Sequence, residues 1–417
     1  MKAACLATLV LALAAVPVVA SAGAPERSLA GPLPLPGLGR ARLLRFEAGL
    51  ERFTEILTPE SGLGPVFNDV SCKGCHSHPV AGGSSAIFVT RFGRTGPDGF
   101  DPMTEFGGSL IQAHGITVGT CSVPGEVVPP EATLVSRRET PPLFGLGLVD
   151  AIPDVEILRN EDPADEDLDG ISGRANMVGG RVGRFGWKAQ VATLHDFAGG
   201  AYLNEMGITT RLFPDEVTKL CNTASEPNDV PDPDGLDDLD HFARFIRATK
   251  APARDGQLAA TPQTRRGSEL FEKVGCATCH VRALTTAPAG TKINGGKFTI
   301  SDALGAKTFH PYSDFLMHNV GTGDGIVVPM LEHYGRRMYQ TTWRNFSGED
   351  FHNARFKVRT APLWSVRLRS RLMHDGASVT LRDAVTRHGG EASEVMHHFE
   401  KLSHADQEAI LEFLRSL

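Results

Sequence analysis

Apolar residues recur at helical spacing in five stretches of the chain and predict most of its regular structure. The first stretch, 42–57, places one apolar face on a helix: Leu43, Phe46, Leu50, Phe53 and Leu57. Similar patterns occur at 194–206, 236–246, 266–271 and 403–417. Residues 87–91 favour a strand, and 106–118 is ambiguous between helix and hairpin. Glycine and proline are frequent in between, so we expect a mainly α fold with long ordered loops.

The two halves of the chain share one order of features. Thr140-Pro-Pro-Leu-Phe in the first half matches Thr360-Ala-Pro-Leu-Trp in the second. Each segment follows a helix and a Cys-x-x-Cys-His pentapeptide, and each precedes a closing helix. Chance explains one short turn, but four features in the same order indicate a repeat. The repeat predicts two tandem modules, at 25–250 and 263–417, joined by a linker at 251–262.

The pentapeptides carry the most specific chemistry in the sequence. Their residues are Cys72, Cys75 and His76 in the first and Cys276, Cys279 and His280 in the second. Cys-x-x-Cys-His is the attachment signal for c-type haem, in which the thiols form thioethers and the imidazole becomes the proximal iron ligand. A zinc site or a redox dithiol is the alternative for one copy, and the second copy disfavours both. The sequence predicts two covalently bound haem c groups.

The N-terminus predicts export. Lys2, the apolar run 6–15 and small residues ending at Ala22 or Ala24 make residues 1–24 a cleavable signal peptide. Pro17 interrupts a run that is already too short to span a membrane comfortably. Because c-type haem is attached outside the bacterial cytoplasm, we expect a periplasmic protein that does not span the membrane.

Charge and cysteine content narrow the partners. The formal net charge is −7 and the chain has no basic tract, which argues against nucleic acid or anionic lipid as partners.

Two cysteines, Cys121 and Cys221, lie outside both the signal peptide and the pentapeptides. They form a disulfide in an oxidising compartment, or they are two buried apolar side chains, and the sequence leaves both alternatives open.

An acidic segment matches the beginning of a calcium loop. Asp165, Asp167 and Asp169, followed by glycine, fit the pattern D-x-D-x-D-G. The twelfth position is Asn176 rather than glutamate, so the full pattern fails, and a solvated acidic loop is the alternative. We expect a structural Ca²⁺ held by the three aspartates and the carbonyl of Ile171.

Further motifs extend the pattern beyond the pentapeptides. They include Thr140-Pro-Pro-Leu-Phe, Asp169-Gly-Ile-Ser-Gly-Arg, Gly183-Arg-Phe-Gly-Trp, Tyr312-Ser-Asp-Phe-Leu-Met-His and His374-Asp-Gly. In these motifs the chain resembles the bacterial di-haem oxidoreductase family and, more distantly, the di-haem cytochrome c peroxidases. The resemblance implies two cytochrome c-like modules and a calcium ion between them.

The resemblance also implies that the two haem irons have different roles. His76 would hold the iron that reacts with peroxide, and His280 the iron that receives electrons. The implied donor is a small redox protein, a monohaem cytochrome c or a cupredoxin, and the implied substrate is hydrogen peroxide or a protein. Peroxide chemistry further requires an open iron position and an acid/base group.

Several residues compete for the distal positions. His114 is a candidate ligand of the first iron and Glu139 a candidate acid/base, each with a solvated surface residue as the alternative. Four residues compete at the second iron: His318, His352, Met373 and His374. Met373 packs in the core if it is not a ligand. Trp187 is either an electron bridge or a core aromatic.

Two other functions remain open at the sequence level. A non-enzymatic di-haem electron carrier requires the same attachment motifs. A thiol oxidoreductase would use Cys121 and Cys221 as its redox pair.

Overall fold

The computed structural model describes residues 31–96, 99–214, 221, 230–327 and 354–417. The expected signal peptide at 1–24 and the candidate ligand His352 lie outside these residues, so both stay predictions. Among the helices described, none is long and apolar enough to cross a membrane.

All five stretches with helical periodicity are confirmed as helices. Their first turns explain several of the boundaries: Pro262 occupies the first turn of one helix, and Thr261 accepts the amide hydrogen of Thr264 before it. In chain order the helices are α1 (Arg40–Thr54), α2 (Cys72–Cys75), α3 (Leu146–Asp150), α4 (Asp154–Leu158), α5 (Leu194–Met206), α6 (Asp238–Ala248), α7 (Gly256–Ala259), α8 (Pro262–Lys273), α9 (Leu381–Thr386), α10 (Ser393–Glu400) and α11 (His404–Arg415).

Short antiparallel strands occupy many of the loops. They are β1 (Val66–Phe67), β2 (Phe88–Gly96), β3 (Gly99–Asp101), β4 (His114–Gly115), β5 (Thr117–Val118), β6 (Cys121–Ser122), β7 (Leu134–Glu139), β8 (Met177–Val178), β9 (Arg181–Val182), β10 (Leu284–Thr285), β11 (Lys292–Ile293), β12 (Phe298–Thr299), β13 (Thr308–Phe309), β14 (Met317–His318) and β15 (Val358–Arg359). Strands β3, β2 and β7 form a three-stranded sheet, and the other strands pair in twos.

The expectation of a mainly α fold is therefore met only in part. The strand expected at 87–91 is confirmed as the start of β2. The ambiguous segment 106–118 contains β4, which pairs with β1, and β5, which pairs with β6. Short strands arise here because the backbone of long loops must satisfy its hydrogen bonds when it is packed against the core.

Helix α1 crosses α6 at Gly49, where there is no room for a side chain. A Cβ atom there would lie 2.6 Å from Cβ of Phe245 and 2.8 Å from the carbonyl oxygen of His241. Beside the crossing, the rings of Phe53 and Phe245 are 5.1 Å apart. Phe53 in turn lies 6.2 Å from the ring of His76, so the crossing builds an aromatic wall beside the first pentapeptide.

Helices α8 and α11 repeat this arrangement. Gly267 of α8 packs directly against the carbonyl group of Ala409. The rings of Phe271 and Phe413 are 5.2 Å apart, and Phe271 lies 6.1 Å from the ring of His280. Each pentapeptide therefore lies beside a helix crossing that contains one glycine and two aromatic side chains.

The larger apolar core joins both halves of the chain. Leu143, Leu194 and Phe242 belong to the same buried cluster as Leu304 and Phe315. A smaller core is formed mainly by α8, α10 and α11. The larger core contains residues from both sides of the expected linker at 251–262. The domain boundaries stay a prediction.

Cys121 of β6 forms a disulfide with Cys221, and their Cα atoms are 5.5 Å apart. The structure thus decides between the two alternatives that the sequence left open for this pair. The four pentapeptide cysteines take part in no disulfide.

Candidate haem sites

The first four residues of the first pentapeptide form α2, and His76 follows directly after the helix. Nδ1 of His76 lies 3.0 Å from the carbonyl oxygen of Gly83. Burial lowers the pKa of His76 to about 4, against the opposite effect of the Gly83 and Pro141 carbonyls. The imidazole is therefore neutral at pH 7, and with Nδ1 bound, Nε2 is the nitrogen that remains for a metal.

The second pentapeptide offers the same donors. Nδ1 of His280 lies 2.9 Å from the carbonyl oxygen of Tyr312, and burial lowers the pKa of His280 to about 4. Burial also raises the pKa of Cys72, Cys75 and Cys276 to about 12, so these thiols are protonated. Each pentapeptide presents neutral thiols and one oriented imidazole, which fits covalent haem.

A cavity of about 180 Å³ opens directly against the second pentapeptide. Cys276, Cys279 and His280 line it, and most of the rest of its wall is apolar, including Val320, Leu363, Val366, Leu372, Val385 and Met396. Apolar walls beside two thiols and an imidazole suit a flat, largely apolar macrocycle. The residues present at this site therefore fit haem.

His388 faces His280 across this cavity. The two rings have centroids 6.4 Å apart, with an angle of 63° between their planes. Nδ1 of His388 lies 2.9 Å from the carbonyl oxygen of Ala384, which again leaves Nε2 as the free nitrogen. Burial lowers the pKa of His388, so this imidazole is also neutral.

The distance between the rings matches two imidazoles that bind one metal ion. Metal–imidazole bonds are about 2.0 Å long and the ring centre lies about 1.1 Å beyond the nitrogen, so two axial ligands place their ring centroids roughly 6.2 Å apart. The observed 6.4 Å agrees with this value. His388 is therefore a candidate ligand for an iron that His280 also binds.

Sequence reasoning missed His388, although a signal was present. Leu381, Ala384, Val385 and His388 recur at the spacing i, i+3, i+4 and i+7, and all four line the cavity. The sequence analysis instead named His374, a short distance upstream, and both histidines line the cavity.

Met373 and His374 line the same cavity. Met373 has a left-handed backbone, with φ of 65°. His374 is 2% exposed, and neither of its ring nitrogens has a hydrogen-bond partner among the described residues. Its ring lies 6.2 Å from that of Trp187, which also borders the cavity.

Both ring nitrogens of His318 face carboxylates. Its Nε2 lies 2.7 Å from Oδ2 of Asp314, and its Nδ1 lies 3.0 Å from Oε2 of Glu391. Burial alone would lower the pKa of His318, but Asp314 and Glu391 raise it well above the usual value. His318 is a charged wall residue, with Nδ1 also 3.6 Å from Sγ of Cys279.

Glu139 is buried, contrary to the alternative of a solvated residue. Its Oε2 lies 2.7 Å from Nη2 of Arg369, and its backbone amide donates to the carbonyl of His374. Burial raises the pKa of Glu139 to about 7, although Arg369 opposes this shift. Nε1 of Trp187 donates to the Glu139 carbonyl at 2.8 Å. Glu139 thus connects the Thr-Pro-Pro turn to the wall of the second cavity.

His114 lies on the surface. Its side chain is exposed on β4, and its ring lies 5.7 Å from that of Phe67. The alternative of a surface histidine therefore describes it better than the role of an iron ligand.

The acidic loop gathers a different set of carboxylates from the expected one. Oxygens of Asp162, Asp165 and Asp167 lie within 4.8 Å of one another. Oδ1 of Asp169 instead accepts the amide hydrogen of Ile171 at 2.8 Å. Burial and the neighbouring aspartates raise the pKa of Asp169. Asp162 thus joins the cluster in place of Asp169, and calcium binding stays a prediction.

Comparison with known sequences decides the family. The family described as "Di-haem oxidoreductase, putative peroxidase" matches residues 128–417. The chain belongs to this di-haem oxidoreductase family. The match contains the second pentapeptide, the cavity and His388, and it begins after the first pentapeptide. The family name implies two haem groups, which agrees with the two Cys-x-x-Cys-His motifs of this member.

Solved structures give weaker similarities to this di-haem oxidoreductase. The diheme peroxidase BthA from Burkholderia thailandensis is 16% identical, with a TM-score of 0.44 over 90% of this chain and 86% of that one. A MauG-like protein associated with microbial copper homeostasis is 15% identical, with a TM-score of 0.41 over 95% of each chain. Kuenenia stuttgartiensis hydrazine synthase is 14% identical, with a TM-score of 0.38 over 98% and 100%. No curated protein matches the sequence.

Proposed function

We propose that this chain is a periplasmic di-haem c-type cytochrome that acts as a peroxidase-type oxidoreductase. The thiols of each pentapeptide attach one haem covalently, and His76 and His280 are the proximal ligands. Residues 25–250 and 263–417 form two cytochrome c-like modules. The recurring contacts of Gly49 with α6 and of Gly267 with α11 support this division.

The observation that carries the proposal is the pairing of His280 with His388. His280 and His388 would both hold the iron of the second haem, which would then serve electron transfer rather than peroxide binding. At the first site, the candidate sixth ligand His114 is an exposed surface residue. We therefore assign peroxide reduction to the first site and electron entry to the second.

Bound haem supplies the redox-active iron at which peroxide accepts two electrons. The chain supplies the proton transfer. Glu139, which precedes the turn whose Pro141 carbonyl acts on His76 and which has a pKa of about 7, would move a proton from one peroxide oxygen to the other. Arg369 holds the carboxylate in place through the 2.7 Å ion pair. With two further protons from solvent, the products are two molecules of water.

The remaining parts of the proposal concern the electron donor and a bound calcium ion. A small redox protein, a monohaem cytochrome c or a cupredoxin, delivers the electrons one at a time to the second haem. Ca²⁺ binds at the acidic loop, where Asp162, Asp165 and Asp167 converge. Calcium titration of the D162N and D169N variants tests the second point: D162N weakens binding if the observed cluster is the site, and D169N does so if the motif is.

Steady-state assay with hydrogen peroxide and a reduced monohaem cytochrome c tests the reaction. We expect turnover after half-reduction, with two covalent haems per chain. Absence of turnover in half-reduced protein with two low-spin irons would instead support a non-enzymatic electron carrier.

A further inference from the structure

Arg359 is a buried cation without a carboxylate partner in the described part of the chain. Its residue is 8% exposed, and its guanidinium donates only to backbone carbonyls, Nε to Gly186 at 2.9 Å and Nη1 to Thr360 at 3.0 Å. Burial lowers the pKa of Arg359 to about 10, so it stays charged at pH 7. The Asp314 carboxylate opposes this lowering of the pKa but forms no ion pair with Arg359, so the buried guanidinium has no direct counter-ion, which points to an anion that binds there.

Two neighbouring side chains also have unused hydrogen-bonding capacity. Arg369 donates through Nη2 to Glu139, but its buried Nε has no partner among the described residues. His374 is 2% exposed, and neither of its ring nitrogens has a hydrogen-bond partner among the described residues. Buried polar atoms without partners are rare in folded proteins and indicate a missing ligand.

These three residues share one place in the fold. Arg359, Arg369 and His374 all line the cavity at the second pentapeptide. The two arginines also line a smaller cavity of about 40 Å³, which extends to Pro141 and Leu143 of the Thr-Pro-Pro-Leu turn. The arginines therefore stand at the junction between the second haem site and the first half of the chain.

We propose that Arg359, Arg369 and His374 form a carboxylate-binding site at this junction, occupied by the propionate groups of haem. The propionates are the charged groups of haem, and guanidinium groups bind carboxylates through paired, charge-assisted hydrogen bonds. The site rests on the proposed function, because it requires haem in the cavity. It would anchor the propionate edge of haem on the side of the cavity that Trp187 also lines. A free carboxylate substrate has the same chemistry and is distinguished below.

The site has an electrostatic consequence for the second haem. Reduction adds one negative charge to the haem, and a nearby buried cation stabilises that charge. Removal of the Arg359 charge therefore lowers the midpoint potential of the second haem. We expect the equilibrium constant for its reduction to fall about tenfold, which corresponds to about 59 mV for one electron.

The experiment compares Arg359→Gln and Arg359→Lys with wild type in the haem-loaded, full-length protein. Arg266→Gln is the matched control, because Arg266 is an exposed arginine that pairs with Asp406 on the surface. Spectroelectrochemical titration gives the midpoint potentials, and resonance Raman spectra report the propionate bending vibration. We expect R359Q to lower the potential and shift the propionate band, R359K to restore part of the potential, and R266Q to change neither.

Other outcomes separate the two proposals. Absence of covalent haem in wild type would refute the proposed function itself. Normal haem content with unchanged potential and propionate band in R359Q would overturn only the carboxylate site. Benzoate titration distinguishes a free substrate: a Soret shift in wild type that R359Q abolishes, without a change in the propionate band, would overturn the propionate assignment. If R359Q does not fold, His374→Asn and R359K carry the same readouts.

Discussion

Glu139 and Arg369 form a buried ion pair, with Oε2 and Nη2 2.7 Å apart. Their side chains are 1% and 7% exposed, and they are separated by 230 positions in the sequence. The pair links β7 to the segment after the Thr-Ala-Pro-Leu-Trp turn. Because burial raises the pKa of Glu139 to about 7, this contact places a proton donor and acceptor at neutral pH inside the protein.

Replacement of Glu139 by glutamine is expected to lower kcat about 10²- to 10⁴-fold, because a positioned acid/base group contributes rate of this order. In wild type, kcat/KM should rise with pH through an apparent pKa near 7 as Glu139 ionises. R369Q removes a charge that lowers this pKa, so the acid limb should move to higher pH. Steady-state profiles from pH 5 to 9 check both points. If the acid limb of the kcat/KM profile is unchanged in E139Q, Glu139 is not the acid/base group.

The same carboxyl also affects stability. The pKa of Glu139 is raised in the folded state, so folding favours the protonated form, and this contribution is lost as pH rises towards 7. Thermal unfolding midpoints of wild type should therefore fall more between pH 5 and pH 8 than those of E139Q. Parallel curves for the two proteins would contradict the raised pKa.

Replacement of His388 by alanine is expected to open the sixth position of the second iron. Its low-spin spectrum should be replaced by a high-spin one, and cyanide or carbon monoxide should bind there, while haem content is unchanged because the thioethers remain. H388M should instead keep six ligands and raise the potential. His397, exposed on α10, provides the control variant H397A. A low-spin second haem in H388A would exclude His388 as the ligand.

Alanine at Gly49 or Gly267 is expected to destabilise the protein by about 1–3 kcal/mol, because each Cβ would overlap the facing helix. Gly256 is a suitable control, since a Cβ there meets no atom within 4 Å. G256A should be neutral or stabilise by up to about 1 kcal/mol. Denaturant unfolding of the haem-loaded proteins measures the three free energies. Equal values for G49A and G256A would show that the helix crossing is looser than described.

Replacement of Cys121 by serine removes a disulfide that closes a loop of 100 positions. Loss of such a cross-link is expected to cost about 2–5 kcal/mol of unfolding free energy, with peroxidase turnover unchanged below the unfolding temperature. The result separates a structural disulfide from a thiol oxidoreductase. Loss of turnover in folded C121S would favour the latter.

The sequence predicted the helices because each carries an apolar face that a partner helix buries, as Phe53 does against Phe245. It also located both sets of candidate haem donors, because the attachment motif consists of residues adjacent in the chain. Distal residues were harder. Glu139 and Arg369 meet only through long-range packing, and His388 belongs to a helical face with no motif of its own.

The conformation of the acidic loop also could not be predicted from the sequence. Alternating aspartates predicted Asp165, Asp167 and Asp169 as one cluster, whereas the carboxylates that converge are those of Asp162, Asp165 and Asp167. The carboxylate of Asp162 enters instead, because the folded loop brings it within 4.8 Å of the first two. Spacing along the chain does not determine such an exchange.

Electron paramagnetic resonance of the oxidised and half-reduced protein tests the central claim, that the two haem sites differ. We predict one low-spin iron with two axial imidazoles at the second pentapeptide, which H388A abolishes, and a first iron that is high-spin and binds cyanide after half-reduction. Two low-spin irons in both states, with a spectrum that H388A leaves unchanged, would contradict the account.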